Sequence, residues 1–409
     1  MQQNFLLNEG YQSGKIFFQK GDRQYIYTKN KKFLDLSCCA GTLILGHNSY
    51  IFKKSLRNVI KNKISNFAAL NQQASIYSKT LNKMLPKYSK FIMCNSGTES
   101  VSKALRICRA VTKKRLVISI SGSWHGSVDQ LLYNANKNLK PIKISDGLNQ
   151  DEKKNIIYVP YNDIKKTIKI LNKVKSKIAC ILIEPIQGSL PNDVSYNYLK
   201  KLSDYSKQNK ILLVFDEMIT GVRTSCKTVQ EIYKIKPDIS TFGKVFGGGM
   251  PIGFIALSNK ISEEIFSKNI KVHFGGTFTS NPFAMYSANE TLKFVIKNKK
   301  KIFKKIEKFS RKFQEEINNF CIKNRIDVRV YRFQSMLRLI YSGKDVLNRS
   351  QRDQVERLKN TKTIKFKNLL LKNKIFYPNN GIIFFSYQSS QKNLNYVIRI
   401  FKSSLFKVF

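Results

Sequence analysis

Short apolar runs and amphipathic stretches alternate through the middle of the chain. "RLVISI" (115–120), "NIIYVP" (155–160), "IACILIEP" (178–185) and "ILLVFDE" (211–217) are β-branched or apolar, each bounded by polar residues, Gly or Pro. Runs of that length and composition predict strands buried on both faces of a parallel sheet. Between them, the stretch "ESVSKALRICRAVTKK", starting at Glu99, sets Val101, Ala104, Leu105 and Cys108 at helical spacing. The alternation predicts an α/β domain with a mostly parallel sheet. The flanks read differently. Residues 15–36 predict two strands of a hairpin joined by a polar turn. From Leu292 onward the pattern predicts one long basic helix, with Ile302, Ile306, Phe309, Phe313 and Ile317 on one face and lysines on the solvated face. After it, "DVRVYRFQSMLRLIYS" and "GIIFFSYQ" predict strands of a smaller C-terminal domain.

Composition narrows this picture only a little. A chain of 409 residues with 42% hydrophobic residues can build two domains with real cores. No apolar run approaches the roughly 20 residues of a membrane helix. The start, "MQQNFLLNEGYQSGK", has neither the basic head nor the apolar core of a leader. Seven cysteines without metal-like spacing read as thiols in a reducing cytoplasm. The net charge of +47 invites a nucleic-acid reading. Against it, the lysines are spread along the whole chain and no nucleic-acid motif accompanies them, so the charge reads as compositional.

The chemistry collects where apolar runs end. In "FIMCNSGTESVSKAL" a strand gives way to Ser96, Gly97 and Thr98 and then to a helix. Free backbone N–H groups and the positive end of the helix dipole make that turn a phosphate cradle; its plainer reading is an ordinary cap. "SISGSWHGSVDQLL" sets the single tryptophan, Trp124, beside His125 in a glycine-punctuated loop. A flat aromatic there suits stacking on a planar cofactor, with His125 orienting an edge of it; a packed loop aromatic is the alternative. In "ILLVFDEMITGVR" a strand ends on Asp216, at the edge where α/β sheets bind ligands. A buried carboxylate needs a partner, and a protonated pyridine nitrogen is one, with Met218 packing on the ring. A structural Asp is the other reading. Finally, "DISTFGKVFGGGMPIG" sets Lys244 after an apolar segment and before Gly247, Gly248 and Gly249. A partly buried, glycine-walled lysine is suited to Schiff-base chemistry. Cradle, aromatic, acid and lysine together match pyridoxal phosphate.

On those residues the chain resembles the class III pyridoxal-phosphate-dependent aminotransferases of fold type I, and within them the glutamate-1-semialdehyde 2,1-aminomutase branch. The likeness runs from about Phe17 to Ser389, most specifically in "LILGH", "CNSGTES", "SWHGSVDQLL", "VPYND", "IEPIQG", "LLVFDEMITGVR", "PDISTFGKVFGGGMPIG" and "GTFTSNP". It implies a large domain over 46–290 and a smaller α+β domain made from 1–45 and 291–409. It further implies that Lys244 carries the Schiff base and moves the proton, while Asp216 pairs with the pyridine nitrogen. Gly97 and Thr98 would hold the phosphate, Trp124 and Met218 the two ring faces, and Glu184 would stand beside the cofactor. Thr277 would reach the phosphate of the partner in a homodimer.

Two departures divide the readings of substrate. Ile219 and Ser189 stand where many ω-amino acid aminotransferases of the class carry Gln and Glu, which points to the aminomutase branch. Yet "NEGYQSGKIFF" lacks the Arg of that branch's Ser-Pro-Val-Arg segment, and Ala40 stands roughly where it has a tryptophan. One reading is a transaminase taking an amino donor and a separate carbonyl acceptor. Another is the aminomutase of tetrapyrrole synthesis gripping its substrate with a different cation, Arg223 being one choice. A third, from another class, is an inactive scaffold serving as a basic binding protein.

Overall fold

Each of the four apolar runs is a strand, Leu116–Ile120, Ile156–Val159, Ile178–Ile183 and Leu212–Asp216, in a computed structural model that describes residues 16–193 and 195–409. Tyr88–Cys94, Ile239–Gly243 and Gly253–Ser258 complete a seven-stranded sheet. Its order is Tyr88–Cys94, Gly253–Ser258, Ile239–Gly243, Leu212–Asp216, Ile178–Ile183, Leu116–Ile120, Ile156–Val159. Gly253–Ser258 runs antiparallel to both neighbours. The other six therefore share one direction. Every residue of the three strands Ile178–Ile183, Leu212–Asp216 and Ile239–Gly243 is buried, which is why their sequences show no polar alternation.

The helix foreseen from Glu99 begins earlier, at Gly97, and runs to Thr112. Ser96 caps it by accepting the Glu99 N–H at 3.1 Å, and Lys113 ends it in the left-handed conformation. Val101, Ala104, Leu105 and Cys108 are buried in one core cluster with Val117, Cys180, Val214 and Ile239 from the strands. This sheet and its helices form one compact unit, Ile51–Lys299 with Leu347–Ser350.

The second unit takes the chain up to Tyr50, Lys300–Val346 and Gln351–Phe409. Its N-terminal part is not a two-stranded hairpin but three short antiparallel strands, Lys20–Asp22, Tyr25–Tyr27 and Lys32–Asp35. The polar stretch after Tyr27 closes a second turn, where the Thr28 N–H donates to the Lys31 carbonyl at 2.9 Å. Ile375–Phe376 extends this sheet in parallel with Lys32–Asp35. The long basic helix also differs from expectation: it starts at Lys299, and Leu292 lies in a separate helix, Pro282–Lys297. Asn298 separates the two: its backbone leaves helical geometry at φ −106° and ψ 15°, while its side-chain amide doubles its own N–H on the Phe294 carbonyl at 2.9 Å. Ile302, Ile306, Phe309, Phe313 and Ile317 are all buried, as the spacing requires. Arg329–Phe333, Met336–Ile340 and Ile382–Phe384 form a three-stranded sheet. The stretch before residue 16, which carries the leader and missing-arginine readings, lies outside the described residues. Among those residues no helix is long and apolar enough to cross a membrane.

Candidate active site

Six strands sharing one direction bring their carboxyl ends to one edge of the sheet, where open α/β folds bind ligands. Ser96, Gly97 and Thr98 follow Tyr88–Cys94, and Trp124 and His125 follow Leu116–Ile120. Glu184 directly follows Ile178–Ile183. Asp216 is the last residue of its own strand, with Met218 just beyond, and Lys244 is the first residue after Ile239–Gly243. Residues spread from Ser96 to Lys244 therefore come to one edge because the strands that precede them run in the same direction.

Asp216 and His125 form the centre of the site. They are 4% and 5% exposed, and His125 Nδ1 lies 2.7 Å from Asp216 Oδ2. The Met218 N–H donates to Asp216 Oδ1 at 3.1 Å. His125 was expected to orient a cofactor edge; its Nδ1 is engaged by Asp216. Its Nε2 is buried and has no partner among the described residues. Glu184 fastens the tryptophan loop, accepting the Trp124 N–H at 2.7 Å and the Gly188 N–H at 3.0 Å. Burial raises its carboxyl above the usual range, with Asp216 adding to the rise and His125 opposing it. The Trp124 side chain is partly exposed. Thr98 joins the cradle to the same loop by accepting the Ser127 N–H at 3.0 Å.

Met218 wedges between the cradle and the lysine strand. A Cβ on Gly97 would lie 2.9 Å from its Sδ and Cε, and one on Gly243 would lie 2.5 Å from its Sδ and 2.8 Å from the Ile252 carbonyl oxygen. The Gly97 contact meets only the mobile end of a side chain, whereas the Gly243 contact also meets backbone. Gly243→Ala is accordingly expected to destabilise the protein by about 1–3 kcal/mol, the usual cost of overpacking. Chemical denaturation checks it, and unchanged stability would mean that the backbone at Ile252 gives way.

Lys244 is half-buried and holds a left-handed backbone, φ +48°. An L side chain in that region costs about 1–2 kcal/mol, and such strain concentrates at functional positions. Arg223, one choice for a substrate grip, lies in the short helix Thr220–Arg223 and is 0% exposed. Thr277 stands exposed on the loop before Pro282–Lys297.

Glu217 escaped the sequence reading, and its neighbour Asp216 explains why. Adjacent residues on an extended chain face opposite ways, so one Asp-Glu pair serves two sites. The wholly buried Glu217 carboxylate accepts the Val229 N–H at 2.7 Å, the Gln230 N–H at 3.0 Å and the Thr220 hydroxyl at 2.8 Å. Burial still pushes its carboxyl up, from 4.5 to about 7. The folded state thus holds a proton that the unfolded chain releases between those values. Glu217's contribution to stability falls as pH rises through that window and is level above it. Glu217→Gln removes this slope, so the unfolding free energies of parent and variant should converge or cross with rising pH there. Curves that stay parallel across the window would refute the proton.

The donor set fits pyridoxal phosphate. Lys244 offers an amine, Asp216 a buried carboxylate braced by His125, and Ser96 to Thr98 a helix N-terminus for a phosphate. The buried His125 Nε2 marks a polar position still open to a ligand.

Comparison with known proteins accords with this geometry. The family model "Aminotransferase class-III" matches residues 7–330. The glutamate-1-semialdehyde 2,1-aminomutase of Methanococcus vannielii is 32% identical over 377 residues, which cover 88% of this chain and 84% of that protein. An omega-transaminase from Sphaerobacter thermophilus superposes with a TM-score of 0.87 at 19% identity, covering 95% of this chain and 90% of its own. A transaminase solved with pyridoxal phosphate bound gives a TM-score of 0.83 at 20% identity, covering 96% and 91%. The last two share the fold.

Proposed function

The chain belongs to the class-III aminotransferases, fold type I enzymes of amino-group transfer that use pyridoxal phosphate, and from that premise we propose that Lys244 and Asp216 are its catalytic residues. The observation that carries the assignment is the buried His125–Asp216 pair at 2.7 Å, on the sheet edge where Lys244 directly follows its strand. When bound, the cofactor supplies an electron sink for charge developing on the substrate carbon. Asp216 offers a fixed negative charge to the ring nitrogen, held by His125 and the Met218 N–H so that it need not reorganise during reaction. The Lys244 amine would hold the cofactor, and its Nζ would take a proton from the substrate carbon and return it, an acid–base role worth roughly 10²–10⁴-fold. Ser96, Gly97 and Thr98 would bind the phosphate, and Trp124, fastened by Glu184, would hold the ring together with Met218.

Two substrates follow from different observations. Glutamate-1-semialdehyde is supported by the name of the Methanococcus vannielii relative and by Ile219 and Ser189. A separate amino donor and carbonyl acceptor are supported by the missing arginine in "NEGYQSGKIFF" and by Ala40. The test is the visible spectrum of the purified protein during addition of glutamate-1-semialdehyde or single amino donors. Consumption of glutamate-1-semialdehyde alone, without a second carbonyl compound, is the aminomutase result. Bleaching by a donor that then needs an acceptor is the transaminase result. No cofactor band after reconstitution would overturn the role of Lys244.

A homodimer completes this reading, with Thr277 reaching the partner's phosphate. Thr277 and the apolar Phe67, Leu70 and Phe278 are all exposed, which suits an interface. Free thiols at Cys94, Cys108, Cys180, Cys226 and Cys321 suit a cytoplasmic location.

A further inference from the structure

Lys103 is the buried lysine that the reaction does not use. It lies within the cradle helix Gly97–Thr112 and is only 5% exposed, whereas lysine is rarely buried without a partner. Its ammonium pairs with Glu99 Oε1 and donates to the Phe274 carbonyl at 2.7 Å. One turn further along, Arg106 Nη1 donates to the His273 carbonyl at 2.7 Å. Two cations spaced along one helix face thus hold two consecutive carbonyls of a segment that has neither strand nor helix. Val272 and Phe274 anchor that segment on the core cluster beneath the same helix.

The segment leads straight to Thr277. Gly275 to Phe278 are exposed, and the chain at Gly276 passes so near Glu99 that a Cβ there would lie 3.9 Å from Glu99 Oε1. The other oxygen of Glu99 accepts the Asn95 N–H at 2.8 Å, immediately before the cradle. A single carboxylate therefore joins the cradle turn to the cation that holds the loop.

We propose that Lys103 and Arg106 are positioning residues that clamp the Thr277 loop, so that the cradle helix of one protomer sets a phosphate ligand for the other protomer's cofactor. This rests on the reading that Thr277 serves the partner's site. The clamp then acts in trans: its loss weakens cofactor binding in the neighbouring site and leaves its own cradle sound.

Mixed dimers of the full-length chain separate trans from cis. Homodimers of Lys103→Met/Arg106→Gln are expected to bind pyridoxal phosphate about tenfold more weakly, the weight of a charge-assisted hydrogen bond, read by titrating the visible absorbance of the lysine-bound cofactor. In a mixed dimer with a Lys244→Ala protomer, the lysine-bound cofactor forms in the clamp variant's protomer and faces the partner's intact loop. There the affinity should return to the parent value. Affinity that stays weak would place the effect within one protomer and overturn the proposal, as would native affinity in the homodimeric variant. Thr277→Ala mixed with Lys244→Ala is the control. If that pair is not rescued, the partner role of Thr277 itself fails, and the clamp's role in trans falls with it. Should the buried Lys103→Met substitution prevent folding, Arg106→Gln at its exposed position carries the same comparison alone.

Discussion

Lys244→Ala is expected to abolish turnover, by at least about 10⁴-fold at the upper end of acid–base contributions, and to remove the visible absorbance of the lysine-bound cofactor. Alanine keeps a Cβ at φ +48°, so the backbone demand at this position is unchanged and the fold should survive. Lys244 is the first residue after a fully buried strand, and Val245 and Phe246 beyond it are buried in turn. Its amine is therefore carried by a rigid segment next to Asp216's strand, not by a wandering loop. Absorbance titration and steady-state rates check the outcome, with thermal melting to establish that the variant is folded. A folded variant that retained either the band or the turnover would remove Lys244 from the mechanism.

Asp216→Asn should leave most of the stability and take away roughly 10²–10³-fold of the rate, the range seen when a preorganised electrostatic partner is removed from a dry site. The substitution is nearly isosteric. Its amide oxygen can keep the Met218 N–H, and its amide nitrogen can donate to His125 Nδ1 if the imidazole changes tautomer. What disappears is the negative charge, and with it the reason for a ring nitrogen to stay protonated. Single-turnover rates with a reactive donor measure the loss. Turnover within threefold of the parent would mean that this carboxylate only braces the strand end.

The capped turn at Ser96 to Thr98, the lysine turn and the strand-terminal aspartate were legible because each is a local signal. A capping serine before a helix, glycines after a lysine, and an acidic residue ending an apolar run are set by neighbours in the chain. The four central strands were legible for the same reason, since unbroken burial leaves an unbroken apolar run. The errors also have local causes. The second turn at Thr28–Lys31 is closed by a local backbone hydrogen bond and the break at Asn298 is a change of backbone conformation at one polar residue, and hydrophobic periodicity registers neither.

Read alone, the sequence determined that this is an α/β enzyme of amino-group chemistry with Lys244 and Asp216 at strand ends, because those features are written in short windows of residues. Only the tertiary structure decided what touches what. His125 meets Asp216 across 91 positions because the strand Ile178–Ile183 seats Leu116–Ile120 and Leu212–Asp216 on its two sides. Met218 fills the space left by Gly97 and Gly243, Glu217 turns away from the site into the core, and Lys103 reaches past its own helix to the Thr277 loop. Strand order and close approach are set by the packing of the whole sheet, and local periodicity carries no record of either.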